Sequence, residues 1–263
     1  NDPTLCPWPP IAVLPLGTGN DLSRQFNWGH AYLGWDLNNV KDAIIHAEVH
    51  KIDRWRLLVE QCKSKVDAEA GTDADAEAAE VQNEEEGGGG CETEVSCKTF
   101  INYFGIGVDG KVVSLFEECR NAFPWLFCCR CMNNTIYGWF GMTYCCRHPQ
   151  NLEPNYELEV DGVRQDIPKS SEGIICLNIQ SFMGGVELWQ HPELPATPSD
   201  EQLSICSVNG PIHLGRIKLN MPCAQSDHVA QGTEITIRAP EKTARGSIMA
   251  QVDGEAIELR SPG

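Results

Sequence analysis

The apolar residues at the start of the chain change from a continuous run to a helical spacing. Residues 11–16 (IAVLPL) form an apolar run with the length of a buried strand. A glycine loop follows, and then Leu22, Phe26 and Trp28 recur at helical spacing. Residues 37–50 repeat the helical period. These patterns predict a strand, a glycine loop and two helices, which together make an α/β unit.

The rest of the chain is predicted to be mainly β structure with one helical stretch. Residues 109–148 are rich in aromatic residues, and we expect helices there with breaks at Pro124 and near Gly138. Alternating or continuous apolar residues mark the strands, and two Asp-Gly pairs predict hairpin turns. The segments expected to contain strands are 51–60, 98–108, 155–167, 173–180, 212–221, 232–239 and 247–259. The pattern therefore predicts a short α/β unit followed by a mainly β part of the chain.

An acidic segment at 64–97 interrupts the second unit. It consists mainly of Ala, Glu, Asp and Gly and has no aromatic residue. Residues 65–97 contain eleven acids and one base, a net charge of −10 out of −17 for the whole chain. Such a composition cannot bury enough apolar surface to offset its ordering entropy, so the segment is predicted to be disordered. Its position between two strand-like segments predicts the enlarged loop of a hairpin.

The overall composition restricts the class of protein. An apolar fraction of 41% and a charged fraction of 22% are typical of a globular protein. The negative net charge disfavours a nucleic-acid partner, because phosphate contacts need clustered Lys and Arg. No apolar stretch is long enough to span a bilayer and the N-terminus does not resemble a signal peptide, so we expect an intracellular protein without a transmembrane segment. The absence of a starting methionine suggests a piece of a longer protein.

Thirteen cysteines are present, and six of them lie between positions 119 and 146. The odd total and the lack of a secretory signal favour reduced thiols over a disulfide framework. The spacings of the six match no common zinc frame, so free thiols are preferred over a metal site, with acylation or redox sensing as alternatives. These six residues are Cys119, Cys128, Cys129, Cys131, Cys145 and Cys146.

The first motif with possible chemistry is Gly17-Thr18-Gly19-Asn20-Asp21. A glycine pair lets the backbone approach phosphate oxygens, and the start of the following helix offers free N–H groups. Asp21 could hold Mg²⁺ directly or through water. A tight turn in which Asn20 or Asp21 caps the helix explains the same residues.

Two later motifs are equally open to a structural explanation. Asp253-Gly254 within QVDGE (251–255) has the composition of a hairpin turn between alternating apolar residues. GGVELW (184–189) locally indicates only a turn followed by a strand. Neither motif decides the function by itself.

Taken in order, the motifs resemble those of the diacylglycerol kinases. PLGTGNDLSRQFNWG (15–29) closely resembles the signature of their catalytic domain. DRW (53–55) and NYFGIGVDGKV (102–112) resemble the opening of their accessory domain, and GGVELW and QVDGE resemble its later landmarks. The resemblance runs from about residue 10 to residue 260 apart from the acidic segment. It implies that residues 1–50 end an α/β, ATP-binding catalytic domain and that residues 51–263 form a mainly β, sandwich-like accessory domain. It also implies a cleft between these two domains.

The resemblance also implies roles for individual residues. The loop Gly17–Asp21 would border the phosphates of ATP, with Asp21 in a water-linked Mg²⁺ network. Asp253 would lie across the cleft as the general base, with Glu255 close by. A Gly-Gly-Asp-Gly nucleotide loop expected upstream in this family is absent from the chain, so the residues present would supply one wall of the ATP site.

The implied function is the ATP-dependent phosphorylation of diacylglycerol to phosphatidic acid in lipid signalling, at the cytoplasmic side of a membrane. Kinases of ceramide or sphingoid bases share a similar loop and turn, and a non-catalytic regulatory fragment of a lipid kinase is a further alternative. Residues 98–148 contain five Lys or Arg, three acids and eleven aromatic residues, and they either face an anionic membrane or form core.

Overall fold

The structure, a computed structural model, describes residues 9–62, 93–127, 130–145, 152, 156–239 and 247–260. The helices are α1 (Asp21–Gln25), α2 (Leu37–Ile45), α3 (Val108–Ala122), α4 (Arg130–Cys145) and α5 (Pro211–Lys218), with a 3-10 helix at Pro124–Phe127. The strands are β1 (Trp55–Cys62), β2 (Thr93–Phe100), β3 (Tyr103–Gly107), β4 (Glu157–Val160), β5 (Val163–Gln165), β6 (Gly173–Leu177), β7 (Ser181–Phe182), β8 (Val186–Glu187), β9 (Leu203–Val208), β10 (Asp227–Gly232), β11 (Ile235–Arg238), β12 (Ser247–Val252) and β13 (Glu255–Arg260).

The largest sheet has six antiparallel strands in the order β10-β9-β6-β3-β12-β13. Its central strands β3, β6 and β9 are buried at every position, because both faces of the sheet are covered. Strands covered on both faces need continuous apolar runs, which is the pattern of residues 173–177. The chain thus has mixed α/β structure with several antiparallel sheets.

One face of the six-stranded sheet packs against further β structure. Phe100 at the end of β2, Leu158 on β4 and Ile237 on β11 contact a core formed with Ile174 and Ile205 of the large sheet. The small sheet has the order β11-β4-β5, and β1 pairs with β2. The apolar residues of these strands therefore share one core.

The opposite face is covered by helices and loops. Phe182, Leu188 and Trp189 pack there against Leu214 of α5, and Leu22 of α1 lies at the edge of this cluster. Farther along the sheet, α3 packs on β12 and β13. This second core brings α1 and its preceding loop against the β-rich part of the chain.

Two strand predictions are wrong. Residues 11–16 form no strand, because no strand of the described ranges pairs with this run. Ile11 is 88% exposed, so the run is not buried as predicted. Residues 212–221 were expected to be β structure, but helix α5 occupies Pro211–Lys218. The alternation of Ile212 and Leu214 suggested a strand, whereas Pro211 at the first helical turn and the spacing of Leu214 and Ile217 favour the helix.

The aromatic stretch is helical as predicted, with one difference. The break at Pro124 is confirmed, since α3 ends at Ala122. The break near Gly138 is wrong, because α4 continues through this residue. A single glycine lowers helix stability by about 1 kcal/mol relative to alanine, and packing of α4 on α3 and α5 offsets such a cost.

The hairpins around the acidic segment and the two Asp-Gly pairs are confirmed. β1 and β2 pair in antiparallel register, with Cys62 opposite Thr93, so residues 93–97 belong to a strand and not to the predicted disordered segment. Residues 63–92, the rest of that segment, lie outside the described residues. β2 ends at Phe100, earlier than expected, because the chain turns at 101–102 and enters a different sheet.

Candidate functional site

Asp21 is buried at the contact between the glycine loop and the β-rich part of the chain. Only 6% of the residue is exposed. Its Oδ1 accepts hydrogen bonds from Ser181 Oγ at 2.6 Å, from the Gly184 N–H at 2.9 Å and from the Gly185 N–H at 3.1 Å. Its Oδ2 accepts a hydrogen bond from the Tyr103 hydroxyl at 3.1 Å. The carboxylate therefore connects GTGND to both NYFG and GGVELW.

The helix-cap interpretation of Asn20 and Asp21 is wrong. Asn20 precedes α1 in the left-handed region at φ 56°, and its side chain makes no capping hydrogen bond. Instead, Asn20 Nδ2 donates to the His30 carbonyl at 2.9 Å. Ser23 Oγ lies within hydrogen-bond distance of the carbonyls of Asn20 (2.9 Å) and Gly29 (3.0 Å), which share its one proton, and this contact closes the segment around α1. The side chains of Asn20 and Asp21 therefore bond to neighbouring segments and do not cap the N-terminus of α1.

The loop Gly17–Asn20 is held from two further sides. Arg24 Nε donates to the Gly19 carbonyl at 3.0 Å. Asn133 of α4 donates through Nδ2 to Thr18 Oγ1 at 3.2 Å. Since α1 has only five residues, phosphate binding at this loop would depend on loop N–H groups more than on a helix dipole.

Asp253 occupies a two-residue hairpin turn, as the Asp-Gly pair in the sequence predicted. Asp253 and Gly254 have φ values of 51° and 90°, which are typical of the turns that join two antiparallel strands tightly. The side chain has a second function, however, because its carboxylate accepts three backbone N–H groups. Ile101 N donates at 3.0 Å, Asn102 N at 2.8 Å and Tyr103 N at 3.1 Å. Asp253 thus fixes the turn that leads into β3.

Tyr103 connects the two acidic motifs. Its backbone N–H donates to Asp253 and its carbonyl accepts the Asp253 N–H at 3.0 Å, while its hydroxyl donates to Asp21. The ring packs edge-on against Phe182 with centroids 4.9 Å apart. Motifs separated by more than 200 positions in the sequence therefore converge on one residue.

The DRW motif joins the same region through Asn178. The amide of Asn178 donates to the carbonyls of Asp53 and Ile101 at 3.0 and 2.7 Å and accepts the Trp55 indole N–H at 2.9 Å. Asn178 is 4% exposed. A buried amide with three side-chain hydrogen bonds fixes the relative positions of the segments that it joins.

A buried carboxyl group lies on the other side of the Asp253 turn. Asp109, in the first turn of α3, is 4% exposed, and burial raises its pKa from 3.8 to about 6, although hydrogen bonds from Gly110 and Gln251 oppose the rise. Gln251 donates to Asp109 Oδ2 at 3.3 Å and accepts the Gly254 N–H at 2.8 Å. Hence Asp109 supports the hairpin turn through Gln251.

Glu255, the second residue predicted at this turn, is exposed at the start of β13 opposite Val252. Asp253 itself is half-buried. The two carboxylates flank Gly254, and Glu255 is open to solvent. This arrangement leaves Glu255 available to a ligand but gives it no fixed orientation.

Sequence reasoning assigned no role to several polar residues that organise the site. Tyr103, Asp109 and Gln251 lie inside the quoted motifs, whereas Asn178 and Ser181 lie outside them. Asn178 and Gln251 each carried a usable signal, because each is a polar amide inside an apolar strand run. Such a residue must find hydrogen-bond partners when the strand is buried. The partners themselves cannot be read from the sequence.

The cysteine-rich region is only partly described. Cys119 is a free, partly exposed thiol, while the side chains of the other five cysteines between 128 and 146 lie outside the described residues. Burial raises the pKa of the free thiols Cys176 and Cys206 to about 12, so both are protonated and poorly nucleophilic. Within the described ranges there is no group of three or more His, Cys, Asp or Glu side chains suited to a metal ion. Among the helices of these ranges, none has the length and apolarity to cross a membrane.

Two family models match the chain. Residues 99–256 match the diacylglycerol kinase accessory domain, and residues 3–57 match the diacylglycerol kinase catalytic domain. The second match covers the GTGND loop and the first covers Tyr103, the Gly184-Gly185 turn and Asp253. The boundary expected at residue 50 lies inside the catalytic-domain match.

Curated relatives match nearly the whole chain. Diacylglycerol kinase 2 of Arabidopsis thaliana is 34% identical over 270 residues, which cover 97% of this chain and 33% of that protein. Diacylglycerol kinase 1 of the same plant is 30% identical over 260 residues, which cover 94% and 31%. Diacylglycerol kinase theta of Homo sapiens is 31% identical over 263 residues, which cover 98% and 25%. The chain spans about a quarter to a third of the length of these relatives.

Among solved structures, a chain from Bacillus anthracis described as a diacylglycerol kinase has a TM-score of 0.42 and 14% sequence identity, over 96% of this chain and 63% of that chain. This similarity is too low to support a conclusion. The family-model matches and the plant and human relatives establish the family of this chain. The chain belongs to the diacylglycerol kinase family, of which it contains the accessory domain and part of the catalytic domain.

Proposed function

We propose that the protein containing this chain transfers the γ-phosphoryl group of ATP to the free hydroxyl of diacylglycerol and so forms phosphatidic acid and ADP. The observation that supports the proposal most strongly is a hydrogen-bond network in a chain that belongs to this family. Asp21 of GTGND accepts hydrogen bonds from GGVELW and from the Tyr103 hydroxyl of NYFG, and the backbone N–H of Tyr103 donates to Asp253 of QVDGE. Motifs that meet in this way from distant parts of the sequence mark a candidate functional site.

The reaction requires alignment and proton transfer more than covalent chemistry by the protein. The hydroxyl oxygen of the lipid forms a bond to the γ-phosphorus while the bond from that phosphorus to the β,γ-bridging oxygen breaks. The electron pair of the broken bond stays with ADP. The hydroxyl proton passes to a protein base, for which an aspartate suffices because little alkoxide develops in a loose transition state.

Asp253 is proposed as this base. A carboxylate has about four acceptor sites. Three backbone N–H groups donate to the Asp253 carboxylate, so one acceptor site is left for a substrate hydroxyl. The residue is half-buried, which leaves a path for the lipid, and the three N–H groups fix the direction of the remaining site. Glu255 is placed beside it as an exposed carboxylate on the same turn.

The loop Gly17–Asn20 is proposed to border the phosphates of ATP, as one wall of a site whose remaining wall lies in the part of the catalytic domain not contained here. Gly17 is exposed, while Asn133 of α4 donates to the Thr18 side-chain hydroxyl and Arg24 donates to the Gly19 carbonyl. A fixed loop with glycines allows close approach of a phosphate. Mg²⁺ is proposed only as the ion that accompanies ATP. A two-domain arrangement with a cleft between the domains is part of the same proposal.

Contact with a cytoplasmic membrane surface is proposed for the region between α3 and α4. Trp125 in the 3-10 helix is 71% exposed, Trp139 on α4 is 66% exposed and Phe123 is 50% exposed. Exposed tryptophan side chains are favoured at membrane interfaces, where the ring is partly apolar and the indole N–H remains hydrated. Vesicle sedimentation of a Trp125→Ala/Trp139→Ala variant should show several-fold weaker binding to anionic vesicles, whereas unchanged binding would exclude this surface.

The test of the function is a lipid panel with the full-length protein. Labelled ATP is supplied with mixed micelles of diacylglycerol, ceramide or sphingosine, and the lipid products are separated. The proposal predicts labelled phosphatidic acid as the main product. Preferential labelling of ceramide or sphingosine would establish the alternative substrate class, and no labelled lipid with any of the three would support the non-catalytic alternative.

A further inference from the structure

The buried carboxylate of Asp21 has no acceptor site left for a metal ion. Ser181, Gly184 and Gly185 donate to Oδ1 and Tyr103 donates to Oδ2, and the Gly184 N–H lies 3.2 Å from Oδ2 as well. Four donors match the roughly four acceptor sites of a carboxylate. All of them belong to the protein itself, and the residue is 6% exposed.

Coordination of Mg²⁺ would require a different arrangement. This ion takes oxygen ligands at about 2.0–2.1 Å in near-ideal octahedral geometry and usually keeps several waters. Binding through Asp21 would break at least one hydrogen bond to a buried donor and would bring waters to a buried position. Asp21 therefore does not fit the Mg²⁺ network that its sequence motif suggests.

We infer that Asp21 is a positioning residue, which anchors the glycine loop to the Gly184-Gly185 turn and to Tyr103. The two glycines of the turn have φ values of 84° and 103°, a region that other residues rarely adopt, and this conformation aims both N–H groups at Asp21. Two successive N–H groups that converge on one carboxylate form a small anion-binding nest. In this protein, the anion in the nest is the side chain of Asp21.

The loop and the turn also touch directly, which makes the anchor short and stiff. A Cβ atom at position 19 would lie 2.7 Å from Asp21 Oδ2 and 3.6 Å from the Gly184 nitrogen. Arg24 donates to the Gly19 carbonyl, and its guanidinium would lie 3.0 Å from a Cβ atom at position 185. The absence of side chains at Gly19, Gly184 and Gly185 thus permits the contact that Asp21 completes.

The first test measures the anchor without reference to catalysis. Amide hydrogen exchange of the segment containing Gly184 and Gly185 is followed in the full-length protein. Asp21→Ala removes every acceptor and should accelerate exchange there at least about tenfold, since these N–H groups lose their partner. Asp21→Asn keeps one acceptor oxygen and should give a smaller increase, which covers the case in which the alanine variant does not fold. Unchanged exchange in a folded Asp21 variant would overturn the inference.

Asp161→Asn is the matched control, because the Asp161 carboxylate likewise accepts two backbone N–H groups, from Thr233 and Glu234. It should change exchange at those positions and leave Gly184 and Gly185 within about twofold of the wild type. Millimolar Mg²⁺ alone should also leave the wild-type exchange at Gly184 and Gly185 unchanged. A Mg²⁺ effect there that disappears in Asp21→Asn would place the ion on Asp21 and contradict the inference.

The second test rests on the proposed kinase function and separates positioning from general loss of structure. Tyr103→Phe removes one donor to Asp21 and keeps the ring that packs on Phe182. The variant should raise the KM for ATP about threefold or more, with kcat per folded enzyme and the KM for lipid changed less than about twofold. Tyr156→Phe, in the other core, should change none of these, and a Tyr103→Phe variant with an unchanged KM for ATP would refute the coupling to the loop. If exchange responds as expected but no lipid is phosphorylated, the anchor stands and the proposed function fails.

Discussion

Asp109→Asn should remove a pH dependence of stability that arises from one buried carboxyl group. The folded chain holds Asp109 at a pKa of about 6, against an ordinary value of 3.8, and burial is the main cause. Between these two pH values the folded state binds more protons than the unfolded state, so stability falls as the pH rises. Above about pH 6 the cost of the buried charge is fully present, and below about pH 4 it is absent.

The magnitude follows from the two pKa values. A shift of about 2 pH units corresponds to about 3 kcal/mol at neutral pH. Between about pH 4.5 and 7.5 the change still amounts to about 2 kcal/mol by the same relation. The asparagine side chain of the variant is neutral throughout this range and cannot contribute the change.

The measurement is urea unfolding of the chain in reducing buffer at several pH values, for the wild type and Asp109→Asn. The free energy of unfolding of the wild type, relative to the variant, should fall by about 2 kcal/mol from pH 4.5 to 7.5. Exposed Asp166→Asn is a control for the removal of one acidic group. A difference between wild type and Asp109→Asn that stays constant within about 0.5 kcal/mol across this range would refute the reasoning.

Two further predictions concern the fold. Replacing residues 63–92 with a short Asn-Gly-containing turn should change the melting temperature of the chain by only a few degrees, because Cys62 and Thr93 are already paired across the hairpin. A larger fall in the melting temperature would show that the segment contributes to the fold. Gly110→Ala should destabilise the chain by about 1–3 kcal/mol in urea unfolding, since its Cβ would lie 2.6 Å from Ala250 Cα. Gly138→Ala, which has open space around it, should instead stabilise α4 by up to about 1 kcal/mol. Equal effects of the two substitutions would contradict the packing of α3 on β12.

The elements that sequence reasoning predicted correctly are those in which local chemistry and tertiary structure agree. Asp161-Gly162 and Asp253-Gly254 both form tight hairpins, because the turn itself requires positive φ at both positions. The buried strand at 173–177 follows from a continuous apolar run bounded by turn residues.

The wrong elements are those that tertiary contacts decide. Residues 11–16 have the composition of a strand but no partner strand in the described ranges, and a strand is stabilised by pairing. In α5 the alternation of two apolar residues resembled a strand, although the helix buries only Leu214 fully. Amphipathic helices with a single buried residue have a weak periodic signal.

At the site, the motifs could be recognised from the sequence but their contacts could not. The hydrogen bonds of Asp21 reach residues 82 to 164 positions away, and nothing in GTGND indicates that its carboxylate is used by the protein itself. The hairpin at Asp253 was expected on local grounds, whereas the three N–H groups that its carboxylate accepts depend on β3 lying beside β12.

The rate of phosphoryl transfer by Asp253→Asn in the full-length protein tests the central claim most directly. The variant is assayed at saturating ATP and diacylglycerol. Its asparagine NH2 group would oppose a backbone N–H donor, which should itself cost about 1–3 kcal/mol of stability. The rate is therefore normalised to folded protein. Loss of the proposed base should lower the rate by roughly 10² to 10⁴ while ATP binding is retained. A normalised rate above about half that of the wild type would contradict the claim and leave Asp253 as a structural turn residue alone.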